Sequence, residues 1–587
     1  MPPGTWAEPL PGHAAPEVEI PDGTEQPEEP AADEVEEAER ADTTADARWL
    51  QCRVNDVPPA DASPAVTSPA AASQPGPPNT FAEGANVVTV FVGALERGAL
   101  AAGALTPQEL GFTRPHLSSV RLTAVLVPLE PHGRPSRADL RVPRHGRSSD
   151  AHLELDLPPG TRDVSARLLL VHRNRVLQTA VLSGVVGGPA ALTEYTLVHP
   201  TLTDLRRRRP FDATVVANHT AAGRPGLMAH RDGATTNVDV PVMRELEPVV
   251  SHLSDVLVRA ADLRPRAGDR PGEAEVALLV ELALWGRDLH GFLKRYLLPF
   301  GERLERLQLV TARSAAFLPL ELAYTRYAPR TGAALCPSWL AGGEGCGPSC
   351  GDGPTDRSIV CPAAFLGMHA TIERQYLDDL GPGGERQVLT TATPTRRRRR
   401  LTVTRAALGA SRKVTAADVA ATLDALGAEA HRASTWAEWE ATLAAADTDL
   451  LVLMPHTDET ALTMEISSTT LRRGELEVTH VTGARDVRPV VLLLGCDTTG
   501  SVVNPGGFAT RFLENDAAVV VSSLAKVRGA HAARLAQRLV TDLRAAAADR
   551  RRTPLGDLVT AWRRAAVAEG WPVALALTAY GDADWTI

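Results

Sequence analysis

The sequence predicts an α/β protein in three parts: a disordered N-terminal tail, an antiparallel β-sandwich-like domain, and a C-terminal part built on a mostly parallel sheet with helices on both faces. Three observations carry this reading. Residues 1–84 are rich in Glu, Pro, Ala, Asp and Thr and bury too little apolar surface to offset the entropy of ordering. From about residue 86, short apolar or alternating segments recur between Gly, Pro and Asp turns, as in sandwiches. Further on, DLLVLMPH and PVVLLLGC run apolar with no polar alternation, between helical patterns such as AADVAATLDALGA and AARLAQRLVTDLRAAA. Strands buried on both faces of a parallel sheet read this way.

The bulk numbers exclude several classes. A chain of 587 residues with 44% apolar content accommodates about three domains, each with its own core. The net charge of −10 belongs to the tail, where residues 1–50 hold fourteen Asp and Glu against Arg40 and Arg48, so the folded remainder is near neutral and its charge names no partner. The lysines are only Lys294, Lys413 and Lys526, and the many arginines, beside abundant Ala, Pro and Gly, reflect a coding bias rather than nucleic-acid binding. No stretch approaches the roughly 18 apolar residues of a membrane span. The start, MPPGTWAEPL, lacks the basic and apolar regions of a secretory signal. The expected location is the cytoplasm, where thiols stay reduced.

In order along the chain, WLQCRV at 49–54 is an apolar island inside the tail, read as incidental, with a short docking motif as the alternative. Residues 85–240 form the sandwich-like domain, from NVVTVFVG, SVRLTAVLVP, ADLRVP and HLELDLP through ARLLLVHRNRVLQTAVL, a hairpin turning at Arg173-Asn174, to ATVVAN and TNVDVPV. This domain shows no catalytic constellation, so recognition or scaffolding is its expected role. Residues 241–335 begin with two helical patterns, MRELEPVVSHLSDVLVRAADL and EAEVALLVELALWGRDLHGFLKRYL, followed by a strand, RLQLVTA, and FLPLELAY. Residues 336–361 are a Cys- and Gly-rich insertion. Residues 362–587 then alternate: RRLTVTRAAL as a strand, two Ala-rich helices including TWAEWEATLAAA, the two apolar strands, AAVVVSSLA, two more helices, and VALALTAYGDADW closing the sheet.

Two core strands each end in a reactive residue. DLLVLMP delivers His456 and PVVLLLG delivers Cys496. In open α/β sheets, sites form at the carboxyl ends of strands. As neighbours, these strands present an imidazole to a thiol, which serves nucleophilic catalysis with the histidine as base and then acid. Gly495 permits a tight turn there, and the Cys496 amide is available as an oxyanion donor. The bland reading is a packing cysteine and an unremarked loop histidine, and spacing alone leaves both open.

In this order, LLVLMPHTDE, MEISSTTLRRGELEVTHV, PVVLLLGCDTTG, AAVVVSSLAKVRGAHAARLA and ALTAYGDADW together resemble a CHAT domain, the bacterial branch of the caspase/separase-like cysteine peptidases of clan CD. FLPLELAY resembles the segment that opens the family's peptidase region, so the resemblance covers about residues 270–587. It implies a caspase-like α/β/α sandwich with a dyad landing on His456 and Cys496. It also implies regulated cleavage of a specific protein in bacterial signalling, stress or conflict. One position departs: caspases have glycine after the histidine, its amide in the oxyanion hole, and here Thr457, bulkier and backbone-restricted, takes that place. Asp458, Glu459 and Asp497 flank the pair, orienting His456, lining a pocket for a basic side chain, or simply solvated. A catalytically silent caspase-like adaptor or scaffold is the competing reading.

Cys336, Cys346, Cys350 and Cys361 fall in a Gly- and Pro-rich loop. Four thiolates suit a tetrahedral structural zinc, which would supply ordering energy that this loop lacks. The spacing is not a standard zinc-ribbon pattern, and free thiols or a disulfide are the alternatives. His369 is a weak substitute ligand. The sandwich-like domain and the zinc loop would then recognise a protein substrate or an activator. The basic runs at 206–209 and 396–400 read as solvated loops, with acidic partners, nucleic acid or the chain's own acidic tail as the alternatives. No Walker A, GxSxG, HExxH or GxGxxG motif occurs.

Overall fold

Among the described residues, nine strands come first: β1 (Arg48–Val54), β2 (Gly84–Gly93), β3 (Leu100–Leu105), β4 (Ser119–Pro128), β5 (Ser136–Pro143), β6 (Ala151–Leu157), β7 (Asp163–His172), β8 (Arg175–Val185) and β9 (Ala190–Leu197). They form two antiparallel sheets, of order β3-β1-β2-β6 and β5-β4-β7-β8-β9. The structure is a computed structural model, and it describes residues 48–55, 79–105, 119–129, 134–143, 146–197, 208–219, 225–238, 240–263, 270–297, 304–311, 318–341, 350, 355–376, 400–458, 462–483, 487–495, 507–525, 527–549 and 551–587. All of them belong to one compact unit, Ala45–Ile587.

The two antiparallel sheets share a core in which Leu50, Val88, Leu122, Leu126, Leu153, Leu168 and Leu170 are buried. The apolar island WLQCRV is therefore not an incidental part of the tail. It is β1, a central strand between β2 and β3, with Leu50, Cys52 and Val54 fully buried. Burial pushes the Cys52 thiol up to about 12, which leaves it inert. Strands β4 and β7 are apolar at successive positions because both their faces are covered. Leu126 and Leu168 face the four-stranded sheet, whereas Val125, Val127, Leu169 and Val171 pack with Val216, Met228 and Val310 of a second, larger sheet.

That larger sheet has eleven strands. They are β10 (Ala213–His219), β11 (Pro225–Arg231), β12 (Ala234–Val238), β13 (Arg306–Thr311), β16 (Thr371–Tyr376), β17 (Ala406–Ala410), β18 (Ala430–Ala433), β19 (Leu450–Met454), β23 (Val490–Leu493), β24 (Val519–Ser523) and β25 (Leu577–Gly581), in the order β12-β11-β10-β13-β16-β25-β24-β23-β19-β17-β18. The segments ATVVAN and TNVDV, read above as the end of the sandwich-like domain, belong here, because β10 pairs in parallel with β13. The sheet is mixed. Strands β10, β13, β16 and β25 run parallel to one another, as do β24, β23, β19, β17 and β18, and the two blocks meet where β24 and β25 pair antiparallel. The segment RRLTVTRAAL does not start as a strand. Asp449 accepts from the amides of Thr404 and Arg405, and pairing begins at Ala406.

Helices α1 (Val240–Asp262), α2 (Glu273–Phe292), α3 (Ala416–Leu426), α6 (Gly529–Ala548) and α7 (Leu555–Ala568) cover one face, where Leu450, Val452, Val490, Leu492 and Val519 point. Helices α4 (Trp436–Ala445) and α5 (Gly507–Glu514), together with the five-stranded sheet, cover the other, where Leu451, Leu453, Val491, Leu493 and Val520 point. This two-sided burial is why β19 and β23 lack polar alternation. The starts of α3 and α4 follow from T-x-x-D and T-x-x-E: Thr415 and Thr435 each accept from the amide three residues on. Two small sheets complete the fold. One pairs β14 (Ala334–Leu335) with β15 (Ile359–Val360), and the other is a ribbon of β20 (His456–Asp458), β21 (Thr463–Ile466) and β22 (Thr469–Arg472).

Charged residues weld the sheets together. At the β7–β8 turn, Arg175 is buried and pairs with Glu373 at 2.8 Å and Asp584 at 3.3 Å, while the Val176 amide donates to Gln308. Arg208 is buried against Asp582 at 2.7 Å, and Arg209 pairs with Asp557 at 2.9 Å. The described half of the 206–209 run is thus not a solvated loop but the countercharge to the terminal GDADW segment. Arg400, the described end of the other run, donates to the carbonyls of Ala546, Ala547 and Asp549 and so caps the C-terminus of α6. On the opposite face, Arg374 pairs with buried Glu321 of FLPLELAY, whose Oε1 also accepts from Thr578 at 2.8 Å.

Candidate active site and cysteine cluster

Three adjacent parallel strands, β17, β19 and β23, end together. Ala410 pairs with Met454, and Leu453 pairs with Leu493. Pairing of β19 with β23 ends at Leu453 and Leu493, three residues before His456 and Cys496 along their respective strands, and adjacent strands lie about 4.8 Å apart. Cys496 itself, with Asp497 and Glu459, lies outside the described residues. The chain up to Gly495 is described, and it presses on the residue before His456. A Cβ placed on Gly495 would stand 2.4 Å from the Pro455 carbonyl oxygen and 2.9 Å from Pro455 Cδ. Gly495 does not adopt the left-handed conformation. Glycine is needed there for close approach, and the tight turn expected after it lies outside the described residues.

His456 opens β20 and is half-buried. Its Nε2 lies 2.7 Å from Lys413 Nζ, and its Nδ1 is buried with no partner among the described residues. Thr457 is buried at a strand position, paired with Met464, so its β-branched side chain is conformationally at ease. Asp458 is exposed at the end of the same strand.

Lys413, which sequence reasoning passed over, sits on the loop that leaves β17. Three contacts pin that loop. The Ser411 amide donates to the Met454 carbonyl at 2.9 Å, and Arg412 donates to the Ser467 carbonyl at 2.8 Å. Gly529, at the start of α6, is so close that a Cβ would meet the Lys413 carbonyl oxygen at 2.8 Å. The segment leading into α6 also donates from Val527 to the Gly495 carbonyl. One loop therefore braces both the Lys413 and Gly495 strand ends. The only sequence signal for Lys413 was its place just after an apolar strand, and that becomes informative once β17 is known to lie beside β19.

A second cluster lies apart in sequence. Strands β14 and β15 pair in parallel, Leu335 with Val360, so Cys336 and Cys361 follow at the same level. The sulfurs of Cys336, Cys350 and Cys361 all lie within 4.8 Å of one another, and all three residues are buried. None is in a disulfide. Buried Arg326 donates to the Cys350 sulfur at 2.8 Å and to its carbonyl. The Cys361 amide donates to the Tyr324 hydroxyl at 3.1 Å, and burial pushes that phenol upward. Three converging thiols beside a guanidinium that offsets thiolate charge are placed to bind a metal ion. Cys346 lies outside the described residues. His369 is not in this cluster, and its Nδ1 lies 3.1 Å from the Ala363 carbonyl.

No protein-family model and no curated protein sequence matches the chain. Among solved structures, the chain is similar to the Arg-specific cysteine proteinase gingipain R, at 12% identity over 58% of this chain and 76% of that one, with a TM-score of 0.30. The complex of pro- and mature domains of the Porphyromonas gingivalis proteinase gives the same identity, share of this chain and TM-score, over 78% of that chain. The Saccharomyces cerevisiae separase–securin complex matches at 9% identity over 63% of this chain and 30% of that one, again at 0.30. Likeness this distant carries no weight for activity. Among the described residues, no helix is long and apolar enough to cross a membrane.

Proposed function

We propose that the chain is a cysteine endopeptidase of the CHAT type in which Cys496 attacks the scissile carbonyl and His456 handles the protons. The observation that carries this is the parallel register of β19 and β23, which runs the two chains side by side to Pro455 and Gly495, one residue short of each reactive group. The buried Nδ1 of His456, without a partner among the described residues, supports it, since a buried polar atom left unpaired is costly unless it has work to do. The amides of Cys496 and Thr457 serve as oxyanion donors, and Asp458 and Asp497 flank a pocket for a basic side chain. The substrate is a specific protein in a bacterial signalling, stress or conflict pathway, with the chain acting in the cytoplasm. The N-terminal β domain docks an activator, and Cys336, Cys346, Cys350 and Cys361 hold a structural zinc.

The test is twofold. Iodoacetamide at neutral pH should alkylate Cys496 faster than a free cysteine peptide, because the thiolate is the reacting species. New protein N-termini should appear in cells carrying the wild type and vanish with Cys496→Ala. An ordinary alkylation rate together with identical N-termini would establish the competing reading, a silent scaffold.

A further inference from the structure

We infer that Lys413 is a positioning residue for the proposed reaction, holding His456 in the tautomer that donates from Nδ1 and lending it a proton during acyl transfer. This rests on the cysteine-peptidase reading and goes beyond it by changing what the histidine does at rest.

The geometry sets the tautomer. An ammonium group has only protons to give, so at 2.7 Å the Nε2 atom of His456 is the acceptor. A neutral ring that accepts at Nε2 carries its proton on Nδ1. That Nδ1–H is buried and has no acceptor among the described residues. A histidine poised this way cannot first deprotonate a thiol through Nδ1. It donates instead to a sulfur that is already a thiolate, with the positive charge supplied from behind by Lys413. The remaining charges around the pair fit this arrangement. Glu465, opposite His456 in the β20–β21 ladder, is held by Arg412 at 3.9 Å and approached by Ser411 at 3.4 Å. Asp458 lies two residues along the strand and is exposed.

The proton path closes on itself. The thiolate adds to the carbonyl carbon. As the C–N bond breaks, Nδ1 gives its proton to the departing amine and Nε2 takes one from the Lys413 ammonium. In hydrolysis, Nδ1 removes a proton from water, whose hydroxide adds to the thioester, and Nε2 returns its proton to Lys413. The C–S bond breaks, leaving the thiolate and the carboxylic acid. The net change is peptide plus water to acid plus amine.

The test uses the full-length protein with Lys413→Met and Lys413→Arg. Arginine keeps the charge but does not release a proton. The expected results are Cys496 alkylation about tenfold slower or more in Lys413→Met, the equivalent of one unit of thiol acidity. In Lys413→Arg, alkylation should stay near the wild-type rate while the Cys496-dependent N-termini disappear. Wild-type Cys496 reacting like a free cysteine peptide would sink the peptidase reading itself. Fast wild-type alkylation left unchanged by Lys413→Met overturns only the role of Lys413. So does a Lys413→Arg variant that melts normally but alkylates slowly, or one that cleaves at the wild-type rate. Should Lys413→Met fail to fold, the arginine variant decides through the same two readouts.

Discussion

Replacing Gly495 by alanine tests the geometry of the candidate site most directly. The added methyl would lie 2.4 Å from the Pro455 carbonyl oxygen and 3.1 Å from Pro455 Cγ, and a backbone oxygen cannot swing aside as a flexible side chain does. Restoring ordinary carbon–oxygen contact requires the ends of β19 and β23 to separate by about 1 Å or more. Overpacking of this kind costs about 1–3 kcal/mol. The larger effect is on chemistry, because the opening falls one residue before both His456 and Cys496, and a displacement of about 1 Å costs on the order of a hundredfold in rate. The thermal midpoint should fall by about 1 °C per kcal/mol, given an unfolding entropy of about 2.1 cal/mol/K per residue over a unit as long as Ala45–Ile587. Iodoacetamide modification of Cys496, followed by mass spectrometry, should slow by at least about tenfold, the loss of one unit of thiol acidity. An alanine variant that melts and alkylates like the wild type would refute the view that close approach of Gly495 to Pro455 sets the site.

The remaining predictions concern the framework. Arg175→Met removes the guanidinium that neutralises buried Glu373, while Asp584 keeps Arg306 at 2.7 Å, and should cost about 3–5 kcal/mol in denaturant unfolding; adding Glu373→Gln should recover part of it, and strict additivity would count against coupling. The purified protein should carry one zinc per chain by elemental analysis, lost with a chelator and in Cys361→Ser, with a lower melting temperature in both; a metal-free protein of equal stability would remove the zinc proposal. His230 and His290 are held neutral, each lowered to about 4, mainly by burial and then by Arg137 for the first and Arg287 for the second. Their contribution is complete above about pH 6.5 and is lost as pH falls through about 4, amounting to about 2 kcal/mol per histidine at pH 5. The melting temperature should therefore drop from pH 7 to pH 5, less steeply in His230→Gln and His290→Gln, and equal slopes in all three proteins would refute this.

Local pattern alone determined a good deal of this protein. Runs such as LLVLM and VVLLL announce strands covered on both faces, T-x-x-D and T-x-x-E mark the starts of α3 and α4, and polar residues at the ends of apolar strands point to His456. These signals are local because periodicity and capping act over a few residues. What only the tertiary structure decided is pairing across long stretches of chain. WLQCRV became a core strand because β2 and β3 flank it, β10–β12 joined the larger sheet because β13 lies alongside, and Arg208 was drawn inside by Asp582. Lys413 met His456 because β17 and β19 are neighbours although the two residues lie 43 positions apart in sequence. Such contacts depend on which surfaces meet, and a charged residue looks the same in sequence whether it is solvated or buried against its counterion.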